Sequence, residues 1–179
     1  MDLMDLLKAT GGRNSVDELA KNVGLGSSEA SKLVESLAPA LLRGLQKNTA
    51  SDDGIAGLRR ALENGGHDRY IDNPELLAAE ETRADGNNIL GHIFGSKDVS
   101  RNVAAAASKD TGIDANLIKK ALPLLATLAM GAMSKKTSGG RDLGTSAQSG
   151  GLGSLGDLIG AVSGKGGLDD ILGMARKFF

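Results

Sequence analysis

Cysteine is absent from the 179 residues, which excludes disulfides, thiolate catalysis and cysteine-held metals. Aromatic residues are scarce: Tyr70, Phe94, Phe178 and Phe179 are all there are, and there is no tryptophan. A core so poor in rings must be filled by Leu, Ile, Val and Ala, which suits close-packed helices. Neither sign of charge dominates, with 21 basic residues against 22 acidic ones. A constitutive nucleic-acid binder needs a surplus of phosphate-neutralising charge, so nucleic acid is a disfavoured partner. No apolar run reaches the roughly 18 residues that span a bilayer. The best candidate, 121–133, is uncharged but short and contains Pro123. The first residues, MDLMDLLKATGG, carry acids where a secretory signal carries Lys or Arg. The expectation is a cytoplasmic protein.

Glycine, by contrast, is abundant at 26 residues, about twice the usual share. It punctuates a series of short apolar patterns at helical spacing. Leu3, Met4, Leu6 and Leu7 fall on one side of a helix over 1–8, ended by Gly11-Gly12. Ser15 with Glu18 suggests a capping box for a helix running to Val23, where Gly24 stops it. Ser27 or Ser28 is the expected cap of a helix over 29–45, with Leu33, Val34, Leu37, Leu41 and Leu45 in one stripe. Pro39 inside that stripe predicts a kink or break.

Residues 47–53 read as a loop and 55–62 as a short helix. Residues 67–74 read as a solvated turn leading into a short helix over 74–79, with Pro74 at its first turn. The charged stretch 80–88 is the best candidate for an internal linker. Helices over 89–94, 101–111 (capped by Asp98 or Ser100) and 115–133 (capped by Asp114) follow. No segment alternates with period two, so no sheet is expected.

Two stretches match each other. Arg13-Asn14 and Arg101-Asn102 lie 88 residues apart, as do the turns at Gly24-Leu25 and Gly112-Ile113. Beyond them the register shifts by four: Leu33-Val34 matches Leu117-Ile118, and Pro39-Ala40-Leu41 matches Pro123-Leu124-Leu125. Four residues are about one helical turn. The expected fold is therefore all-α, a multihelical array built from two related helical units at about 1–47 and 87–133 with a connector over 48–86. Neither unit can bury the Leu41 or Leu125 face alone, so the two should pack together.

The runs Tyr70-Ile71-Asp72-Asn73-Pro74 and Asp85-Gly86-Asn87-Asn88-Ile89-Leu90-Gly91-His92-Ile93-Phe94-Gly95 resemble the YidB-like family, a bacterial family of unknown function. The Gly112-Ile113 turn and the Leu122-Pro123-Leu124 helix are also similar, as is a Gly/Leu-rich C-terminal appendix. The resemblance implies an all-α fold. It implies no activity and carries over no functional residues.

Polar chemistry is thin. His67 and the nearby Asp68 and Asp72 lack a recognisable metal-ligand spacing. His92 lies in an apolar helix with no evident nucleophile or paired acid, so a histidine bonded to a backbone carbonyl, or one at a partner surface, is expected rather than a general base. Gly151-Leu152-Gly153-Ser154-Leu155-Gly156 fits G-x-G-x-x-G, but no strand precedes it. Neither a cofactor nor a metal site is expected.

Residues 19–37 have the cadence of a helix-turn-helix. The second helix's polar face carries Glu29 and Glu35 against Lys32, which repels phosphate as much as it attracts it. DNA association through 16–37 is the alternative reading.

From Ser134 the composition changes. Residues 134–151 are Ser/Gly/Lys-rich, the composition of a flexible linker. Residues 152–179 carry two amphipathic stripes: Leu155, Leu158, Ile159 and Val162, then Leu168, Ile171, Leu172, Ala175, Phe178 and Phe179. Such stripes seek a partner groove, a second copy or a membrane surface. Arg176, Lys177 and Lys165 suit anionic lipid, but Asp157, Asp169 and Asp170 offset them, so peripheral membrane contact is not favoured. The expected function is that of a non-enzymatic interaction or assembly protein. It self-associates, or docks another protein, through Leu168, Ile171, Leu172, Phe178 and Phe179.

Overall fold

The computed structural model describes residues 3–137. Within them the chain runs α1 (Leu3–Ala9), α2 (Arg13–Val23), α3 (Ser27–Asn48), α4 (Asp52–Gly65), α5 (Arg69–Asp72), a 3-10 turn (Pro74–Ala78), α6 (Glu80–Phe94), α7 (Lys97–Thr111) and α8 (Ala115–Lys136). No strand occurs among the described residues, and the fold is all-α. Residues 138–179, which hold most of the expected linker and the whole appendix, lie outside the described residues. The linker's expected start does not hold, since Ser134 is a buried residue of α8.

Local chemistry explains the helix ends, though several caps differ from expectation. Gly24 has φ +80 and lets Leu25 N–H donate back to the Ala20 carbonyl at 2.8 Å, closing α2. Gly112, at φ +75, closes α7 in the matching place. Ser15 caps nothing: α2 already begins at Arg13, and the buried Ser15 hydroxyl donates to the Tyr70 carbonyl at 3.4 Å. Before α3 the cap is Gly26, whose N–H donates to Glu29 Oε2 at 2.9 Å. Ser96, rather than Asp98 or Ser100, caps α7 by accepting from Val99 N–H at 3.3 Å. Asp114 caps α8 as expected, with Oδ1 accepting from Asn116 N–H at 2.8 Å.

The expected interruption at Pro39 is not a break: α3 continues through it, as α8 runs through Pro123 over the expected helix. Residues 80–88 are not a linker but the first turns of α6. Thr82 and Gly86 are buried there, and Thr82 Oγ1 donates to the Leu76 carbonyl at 2.5 Å. Small and polar buried residues leave no apolar stripe to read.

α8 is the axis of the molecule and packs against each of the seven other helices. Residues 121–128 are all buried, and the one hydroxyl among them, Thr127 Oγ1, donates to the Leu124 carbonyl at 2.7 Å. Its 22 residues are long and apolar enough to cross a membrane by length and composition, but 78% of its most apolar window is covered inside the fold. The N-terminal helices meet the C-terminal ones directly. α3 lies against α6 and α7, while α1 and α2 lie against α8.

Three glycines let helices and turns approach closely. A Cβ on Gly44 would fall 2.4 Å from Ile93 Cγ2, one on Gly86 2.1 Å from the Pro123 carbonyl oxygen, and one on Gly131 2.5 Å from the His67 carbonyl oxygen. Leu residues fill the rest. Leu7, Leu19, Leu33, Leu37, Leu124 and Leu125 are fully buried, each contributing about 1.5–3 kcal/mol of transfer free energy.

Candidate functional site

Tyr70 is the one fully buried aromatic among the described residues, and the densest polar cluster gathers around it. Asn73 and Pro74 end α5 after a single turn, which sets Tyr70 against the first half of α6. Its hydroxyl donates to Asp85 Oδ2 at 2.5 Å. Arg69 Nη2 donates to the same oxygen at 3.1 Å and to the Tyr70 oxygen at 2.7 Å. The guanidinium also lies 4.8 Å from the Tyr70 ring centroid. Lys135 on α8 pairs with Asp72 from the other side of the corner.

Burial first, and then the bond to Asp85, push the Tyr70 phenol above its ordinary value. A phenol so held is a donor at neutral pH and neither a base nor a nucleophile. Arg69 is raised, chiefly by its bond to Tyr70. It is about half exposed, so the ion pair itself is worth at most about 1 kcal/mol. The cluster is a pin that fixes the 67–74 corner to α6.

His67 departs from expectation, because it is buried at 7% exposure rather than solvated. Its ring stacks on Tyr70 with centroids 6.2 Å apart, and its Nδ1 is buried with no hydrogen-bond partner. Burial, reinforced by the Arg69 charge and opposed by Asp85 and Asp68, holds its pKa below the usual histidine range. Among the described residues no three His, Asp or Glu side chains converge as a metal site would require.

His92 lies elsewhere, exposed on α6 at the mouth of an open groove of about 240 Å³. The walls are Leu45 of α3, Leu58 and Ala61 of α4, Ile89 and Ile93 of α6, and Met130 of α8. Asp53, Asn48 and His92 supply the polar rim. The His92 carbonyl, not its ring, is engaged: Asn48 Nδ2 donates to it and, at 3.3 Å, to the Ile93 carbonyl, tying the end of α6 to α3.

A second, shallower cleft of about 580 Å³ gathers Lys97, Arg101 and Lys119 with Ser96 and Ser100 where α6, α7 and α8 meet. Arg101 there pairs with Asp98 at 3.1 Å. The sequence concealed this cleft, since its cations come from two separate helices. The 16–37 stretch forms α2, its turn and the first half of α3. Glu29, Lys32 and Glu35 are exposed on it, while Ala20 is buried at the α2 turn. Leu168, Ile171, Leu172, Phe178 and Phe179 lie outside the described residues.

No curated protein and no solved structure matches the chain. A family model does match, over residues 5–136, so that it ends with the last residue of α8 and leaves out the appendix. The match takes in the Tyr70 pin, the His92 groove and the basic cleft, and the chain belongs to that family, the bacterial proteins of unknown function DUF937.

Proposed function

We propose that this is a non-enzymatic, self-associating helical protein of the cytoplasm. A duplicated helical core carries the apolar segment 152–179, which joins copies together. One observation carries the reading. Val99, 40% exposed, is the only exposed large hydrophobic among the described residues, so the core offers no broad apolar face of its own. The appendix does have apolar faces at helical spacing, with Leu168, Ile171, Leu172, Phe178 and Phe179 as the contact set.

Support for duplication comes from α3 and α8, each 22 residues long with an internal proline. Their prolines stand one helical turn out of step, the same four-residue shift seen in the sequence. The run from Ile89 to Gly95 supports the narrower YidB-like grouping within the family. No cofactor is assigned.

Light scattering on the full chain and on a chain lacking 152–179 tests the association. A fall to monomer mass on deletion is expected. An unchanged mass defeats the reading.

A further inference from the structure

The groove beside His92 is open to the surface and walled by apolar side chains. We propose that the groove seats Phe178 and Phe179. The inference rests on the reading above in one respect: it takes 168–179 to be a docking element.

The groove's shape selects side chains over a metabolite. At about 240 Å³ it falls below the roughly 300–1,000 Å³ of small-molecule sites, and its walls are Leu, Ile, Ala and Met. It has room for one or two large apolar side chains, the form in which aromatic anchors fill a pocket. The occupant is then found by elimination within this chain. Of the four aromatic residues, Tyr70 is buried in the pin and Phe94 packs against the core. Phe178 and Phe179 are the other two, and they stand side by side.

Charge agrees with this choice. Arg176 and Lys177 immediately precede the two rings, and the groove's rim carries Asp53 at the start of α4 with Asp52 beside it. Both acids are exposed. Reach is ample. Thr137 follows Met130 by seven residues along α8, about 10 Å, and the 30 residues 138–167 amount to about 100 Å of chain. One wall is also less firmly held than the others, because α4 takes its main packing from α8 rather than from α3 or α6 across the groove.

A chain without cysteine makes the test clean. Gly57 lines the groove, is exposed, and has open space where a Cβ would stand. Gly57→Cys combined with Lys177→Cys in the full chain should form a disulfide at least tenfold faster than Ala105→Cys combined with Lys177→Cys. Ala105 is exposed on α7, and no α7 residue lines the groove. Adding Phe178→Ala and Phe179→Ala should bring the first pair down to the rate of the second. Equal rates for the two pairs, or no loss on removing the rings, overturns the assignment.

The two readings fail separately. A bridge formed within single chains upholds the groove while counting against self-association. A mass that falls on deleting 152–179, without preferential bridging at Gly57, upholds association and defeats the groove.

Discussion

The Tyr70 hydroxyl stands between a guanidinium and a carboxylate, so its removal unmakes two hydrogen bonds at once. Tyr70→Phe keeps the ring and its burial. It should cost about 1–2 kcal/mol, read as a lower urea midpoint with an unchanged slope. His67 gives a pH dependence of definite sign. Its folded pKa lies below the unfolded value of about 6.5, so below that pH the native state binds fewer protons than the unfolded chain. Its share of stability is present above about pH 6.5 and lost as pH drops through that value toward the folded pKa. The melting temperature should therefore decline from pH 7.5 to pH 5. In His67→Phe, which removes both the titration and the unpartnered Nδ1, that decline should be shallower. The partners Tyr70 and Asp85 were visible in the sequence only as parts of a motif. Their bond spans 15 residues and a change of helix, which no local spacing rule detects.

At the scale of helices, two of the described glycines serve close approach of one backbone to another. α6 crosses α8 with Gly86 against the Pro123 backbone, and α3 meets α6 at Gly44. Backbones this close leave no room for large side chains. Gly86→Ala should cost about 1–3 kcal/mol or more, because the obstructing atom is main chain and cannot rotate away. Gly57→Ala, with nothing near its Cβ, should instead stabilise by about 0.4–1 kcal/mol. Chemical denaturation of the two variants side by side checks both signs.

The same crossing explains what was legible. The Leu33, Val34, Leu37 and Leu41 stripe declared α3 because its burial depends on large apolar residues. The first half of α6 buries Thr82 and Gly86, which read as linker. Pro39 suggested a break that the surrounding packing of α3 overrides. His67 looked like turn chemistry until α8 brought Gly131 up to its carbonyl.

For the whole molecule, the described core closes upon α8, and Val99 is the one exposed large hydrophobic among the described residues. The fold class was readable from periodicity and from the absence of alternation. The groove and the basic cleft were not, because each is assembled from three or more helices. The proposed role divides the labour, with residues 3–137 forming a self-sufficient scaffold and residues 152–179 making contacts between copies. Sedimentation equilibrium of the full-length Leu172→Asp variant, with its thermal melt recorded on the same sample, tests this division most directly. The account requires monomer mass with a melting temperature within a degree or two of the parent's. An oligomer mass equal to the parent's would contradict it, as would a core that melts several degrees lower.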